Sequence, residues 1–192
     1  MEGLDTAEND STIYGKLIDG GMNSMILLTD DGDTLELLRN PDDTLEVVKG
    51  GIVPNDRYAV IAYSNYGDRF IRTAINIESL KGRWSSLDRD FEIKDDGTVT
   101  SAVASETNAW KSWVIRNGQL VLGRDTFVVD ELGADSMLLE NREGIYSFKR
   151  GGNSRCPISL FSTSQLLKFS TLRMLWSLSG KDLGMWERAA HR

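Results

Sequence analysis

The sequence predicts an all-β protein: a small N-terminal antiparallel β module, then a small eight-stranded antiparallel barrel, then a tail that breaks the pattern. Three observations carry this. Short strand-like runs, about five to seven residues each, recur from Thr12 to Arg150 between Gly, Asp and Asn turn signals. Within the runs, apolar and polar side chains alternate, the half-wet pattern of antiparallel sheets and not of a parallel α/β fold. Leu80-Lys81-Gly82-Arg83-Trp84 opens the second series, a Gly-x-Trp stretch that places a tryptophan to close one end of a barrel.

Residues 1–11 are polar and acidic and are expected to be disordered. Ile13 to Ile18 forms the first strand and leads to the turn Asp19-Gly20-Gly21. Met25 to Thr29 and Thr34 to Leu38 flank Asp30-Asp31-Gly32 and read as a hairpin. Asn40-Pro41-Asp42 breaks the chain, Leu45 to Val48 reads as a fourth strand, and Gly50-Gly51 as another turn. Tyr58 to Tyr63 and Phe70 to Ile75 complete a module over residues 12–76, the size of an OB-like barrel. Ile77 to Leu80 is a connector of one helical turn.

The second barrel spans residues 77–150. Its best-defined hairpin is Trp113 to Leu122, because Asn117-Gly118 suits a type I′ turn, which needs φ > 0 at both central positions. That turn pairs Arg116 with Gln119, Ile115 with Leu120 and Trp113 with Leu122. Trp113, Ile115, Leu120 and Leu122 then share the buried face. By the same reasoning Asp95-Asp96-Gly97 pairs Ile93 with Val99 and puts Phe91, Ile93, Val99, Ser101 and Val103 on one face. Thr126 to Leu132, Ser136 to Glu140 and Ile145 to Lys149 supply the last strands.

Residues 151–192 change in character. They carry six basic and two acidic side chains, a net +4; subtracting this from the whole-chain charge of -7 leaves -11 on residues 1–150. Gly151-Gly152-Asn153-Ser154 has linker composition. Gln165 to Leu178 has helix length and Gly180 could end it, but its apolar residues spread round the wheel. A packed helix and a loosely ordered tail both stay open.

Composition excludes several function classes. With 29 acidic and 22 basic residues, no basic face for nucleic acid is expected, and residues 11–75 alone hold ten acidic against six basic side chains. Cys156 and His191 are the single cysteine and histidine, so neither a disulfide nor a Ser-His-Asp or Cys-His arrangement with a positioned imidazole is expected. Asp30-Asp31-Gly32-Asp33 resembles half a calcium loop, but the twelfth position is Pro41 where a glutamate is needed. No carboxylate pair is singled out by spacing, and there is no phosphate loop or zinc ligand set. No cofactor, no metal and no catalytic residue is expected, and the protein reads as a non-enzyme. No run is apolar enough to span a membrane, and Met1 to Asp5 lacks the apolar core of a signal peptide.

With Gly82 and Trp84 placed, the chain resembles the lipocalin-like domains of bacterial cell-envelope lipoproteins. The resemblance covers Leu80-x-Gly82-x-Trp84, Phe91-Glu92-Ile93-Lys94-Asp95-Asp96-Gly97-Thr98, Trp113, Asn117-Gly118-x-Leu120-x-Leu122 and Tyr146-x-Phe148-Lys149-Arg150. The upstream module is similar to the small β domain that precedes such barrels, through Gly15-Lys16-Leu17-Ile18-Asp19, Met22-Asn23 and Thr29 to Thr34. The chain departs from the family at Ser101-Ala102-Val103 and shows no lipid-bearing cysteine at its start.

The resemblance implies a cell-envelope location and a role in binding a small hydrophobic ligand. The alternative is a filled barrel that docks another envelope protein or a polysaccharide assembly. Phe91, Trp113, Leu120 and Leu122 are the candidate pocket residues, and they serve equally as core, since an eight-stranded barrel is just wide enough to be filled by its own side chains. Trp110, on the face opposite Trp113, is expected at the surface, where it would serve a ligand mouth or a partner site. Gly82 and Trp84 form the structural plug.

Overall fold

The computed structural model describes residues 10–102 and 109–151. Six strands come first: β1 (Ile13–Gly20), β2 (Ser24–Thr29), β3 (Thr34–Leu38), β4 (Val48–Lys49), β5 (Arg57–Asn65) and β6 (Asp68–Asn76). Five of them, in the order β3-β2-β1-β5-β6, close into a barrel through a β3–β6 contact at Leu38 and Phe70. The neighbouring pairs around the ring are antiparallel, but β3 and β6 run parallel. Parity requires this: an odd ring of alternating strand directions must contain one parallel neighbour. The rest of the ring is antiparallel, as the sequence predicts.

The expected fourth strand also changes. Only Val48 and Lys49 pair, parallel to Ala74 and Ile75 of β6. Leu45 is 80% exposed in a loop that Glu46 ties down through Arg39 and through a hydrogen bond accepted from the Val48 amide at 3.1 Å. The alternation along the strands puts Leu17, Met25, Leu27, Leu37, Val60 and Ile71 inside, with Tyr58 the one large aromatic group of this cluster.

A single helical turn, α1 (Ile77–Leu80), joins the barrels as the sequence predicts. Asn76 caps it by accepting from the Ser79 amide at 3.0 Å. The Asn76 side chain is fully buried, and its amide donates to Asp56 Oδ2 at 2.8 Å and to the Tyr58 hydroxyl at 3.0 Å. The barrels meet around this point: the Gly50 amide donates to the Leu132 carbonyl at 2.9 Å, and Ala59, Ile75, Ile77 and Leu80 pack into the core of the second barrel. Gly118 seats the Asn117-Gly118 turn against Ile61 and Thr73; a Cβ there would lie 2.8 and 2.7 Å from their side chains. Asp10 and Ser11, read from the sequence as disordered, instead hydrogen-bond Asn117.

The second barrel contains β7 (Gly82–Ser85), β8 (Asp90–Ile93), β9 (Val99–Ser101), β10 (Trp113–Arg116), β11 (Gln119–Leu122), β12 (Asp125–Leu132), β13 (Ser136–Asn141) and β14 (Gly144–Arg150). Their order is β10-β11-β12-β13-β14-β7-β8-β9, antiparallel throughout. A bridge between Thr98 and Ser112 brings the two edges together, so the eight-stranded barrel is nearly closed. The hairpin registers are those the turns dictate: Trp113 pairs Leu122, Ile115 pairs Leu120, and Ile93 pairs Val99. Asn117 and Gly118 both take positive φ, at 48° and 73°. Residues 1–9, Val103, and the tail from residue 152, with Cys156, His191 and the Gln165 to Leu178 segment, lie outside the described residues.

Candidate functional site

Gly82 and Trp84 lie in β7, directly after α1. Gly82 has φ 110°, and a Cβ there would come within 3.0 Å of Arg150 Nη1. Trp84 is fully buried and donates from Nε1 to the Leu80 carbonyl at 2.8 Å. The Arg150 guanidinium lies over its ring, 4.2 Å from the centroid. Arg150 also donates to the Lys81 and Ser79 carbonyls at 2.8 and 2.6 Å, next to α1. Burial lowers the Arg150 pKa from its usual value. The group therefore ties the last strand to the connector, a structural role throughout.

Of the candidate pocket residues, Phe91, Leu120 and Leu122 lie in one core cluster, and Trp113 packs against it. Phe91, Leu120 and Leu122 are at most 2% exposed. Phe91 meets Trp110 and Phe148 edge to face, with centroids 5.0 and 5.2 Å apart, and Phe127 meets Trp110 and Tyr146 in the same way. Trp113 is half-buried at the margin and donates from Nε1 to the Lys94 carbonyl at 2.7 Å.

Trp110 corrects an expectation. It is 6% exposed and belongs to the core, with Nε1 donating to Asp125 Oδ2 at 2.8 Å. The Arg89 guanidinium lies 4.0 Å above its ring. Trp110 precedes β10, so strand alternation from Trp113 does not fix its side. A residue this buried offers no mouth or partner surface.

Electrostatics at this end are structural as well. Burial opposes the charge on Lys81, but Asp95 and Glu78 outweigh it and raise the Lys81 pKa. The hydrogen bond from Arg83 lowers the Asp90 pKa. Among the described residues, no group of three or more His, Cys, Asp or Glu side chains is placed to hold a metal ion. No described helix is long and apolar enough to cross a membrane. No protein-family model, curated protein or solved structure matches the chain.

A site the sequence did not single out lies on the first barrel. A cleft of about 590 Å³ opens beside the parallel seam, lined by Met22, Leu38, Pro41, Leu45, Val47 and Phe70 among others. Met22 and Leu45 are 86% and 80% exposed. Asp43 and Glu46 also line it, together with Arg39, which pairs with Glu46. Phe70 stacks on Tyr63 at 5.6 Å, and the Tyr63 hydroxyl accepts from Asn40 at 3.2 Å. The signal available in the sequence was Leu45, an apolar residue between the acidic pair Asp42-Asp43 and Glu46, in a run read as a strand.

Proposed function

We propose that this protein is a non-enzymatic binding module of the bacterial cell envelope that engages a macromolecular partner through its outer surface. In this reading the second barrel is a filled scaffold. The observation that carries it is the mutual edge-to-face packing of Phe91, Trp110, Phe127 and Phe148 inside that barrel. A ligand of useful size needs about 300 Å³ or more of concave space, and these rings would have to part to supply it. The envelope location rests on the resemblance to lipocalin-like domains. The same resemblance implies a small hydrophobic ligand, a role the packed rings speak against.

Native mass spectrometry of the protein purified from its own host tests this reading. The expected spectrum shows the bare chain or the chain with a partner subunit. A copurified lipid that stays bound stoichiometrically would return the function to the barrel interior.

A further inference from the structure

The seam of the first barrel is its thinnest point, since β3 and β6 pair there only at Leu38 and Phe70. Both residues line the cleft. Its most protruding apolar groups, Met22 and Leu45, sit in loops where no strand pattern demands them. Exposed apolar groups gathered round a concavity mark interaction sites, whereas scattered ones carry no meaning.

One further observation, the charge of the rim, chooses the occupant. Glu46 neutralises Arg39, which leaves Asp43 on the lining and Asp42 beside it, both exposed and with no described ion-pair partner. The rim is therefore acidic and favours a cationic visitor.

We infer that the cleft beside the β3–β6 seam takes an apolar side chain from a basic segment of a partner protein. Met22, Leu45 and Phe70 hold the side chain, and Asp42 and Asp43 attract the flanking cations. This rests on the reading that the protein binds through its surface, and names the site and the chemistry of the partner.

Amide NMR on the full chain tests it with defined probes: a capped hexapeptide of alternating lysine and leucine, its counterpart with glutamate for lysine, decanoate, and a dilution series. The lysine peptide should move the amides of Asn23, Asp43, Leu45 and Phe70, with affinity falling as salt is raised. Leu45→Ser should weaken it about tenfold, the loss expected for an anchor side chain. The double variant Asp42→Asn with Asp43→Asn should also weaken it and flatten the salt dependence. Met22→Ser provides a second apolar test at an equally exposed position. Equal binding of the glutamate peptide would overturn the inference. So would movement of the same amides by decanoate alone, or by dilution alone, which would indicate an alkyl ligand or a second copy. Decanoate shifts confined to Ile115, Leu120 and Phe148 would overturn the surface-binding reading itself, and are separable by residue from the cleft signals.

Discussion

The first barrel has five strands and the second has eight, and that parity separates them more than size does. Eight strands alternate in direction all the way round, so the second barrel meets its own edge antiparallel, at Thr98 and Ser112. Five strands cannot, and β3 meets β6 parallel at one residue pair. The interiors differ to match. The eight-stranded ring has room for Trp84 and for Phe91, Trp110, Phe127 and Phe148, the last four of which pack edge to face. The narrower ring is filled mainly by Leu, Ile, Val, Ala and Met. The cleft described above lies at the seam of the smaller barrel.

The largest expected effect tests the aromatic interior. Trp84→Ala should cost about 3–5 kcal/mol in urea unfolding, because it opens a cavity and strands the Arg150 side chain that covers the ring. Since Ala59, Ile75, Ile77 and Leu80 of the first module and connector share the second barrel's core, far-UV and fluorescence transitions should coincide in both wild type and variant. Two separate transitions would break the account of a continuous core.

Asn76→Ala comes next. It removes the cap of α1 and one partner each of Asp56 and Tyr58, at about 1–3 kcal/mol in all, since the Tyr58 hydroxyl keeps its bonds to Val53 and Gly51. Amide exchange should accelerate on both sides of α1. Protection lost on one side only would show that the junction belongs to a single barrel.

Gly118→Ala should cost about 1–3 kcal/mol, through a positive φ and a Cβ forced against Ile61 and Thr73. Thermal unfolding measures it. An unchanged midpoint would mean that the hairpin tip does not press on the first barrel.

The smallest effect is electrostatic and confined to the second barrel. Arg83 holds the Asp90 pKa below its usual value, so the folded state binds that proton less readily than the unfolded chain does. The stabilisation is present above the unfolded pKa and is lost as pH falls through the folded one. The gap in urea midpoint between wild type and Asp90→Asn should be steady near neutrality and close as pH drops below about 4. A gap that persists in acid would assign the difference to packing.

Much of the second barrel was legible because its turns allow few solutions. Asn117-Gly118 accepts positive φ at both positions, which fixed the register of β10 and β11 and hence the inward placement of Ile115, Leu120 and Leu122. Asp95-Asp96-Gly97 did the same for Phe91, Ile93 and Val99. Trp110 was misplaced because alternation holds only inside a strand, and its indole instead finds Asp125 across the next hairpin. The parallel seam follows from counting strands in a closed ring, and local sequence does not say that a ring closes. Leu45 was assigned to a strand for its apolar neighbours, whereas Arg39 and Glu46 hold it in the loop that walls the cleft. Candidate pocket residues were therefore readable as a set facing inward, but whether they line a space or fill it depends on ring contacts between distant strands.

Methyl NMR under xenon pressure tests the central claim most directly, because xenon enters apolar voids without needing a specific ligand. The account predicts that the methyls of Ile115, Leu120, Leu122 and Leu139 stay where they are, and that those of Met22 and Leu45 show at most the weak response of an open surface. Saturable shifts at Leu120 and Leu122 would reveal a void among the rings of the second barrel, and would contradict the filled scaffold on which the proposed function stands.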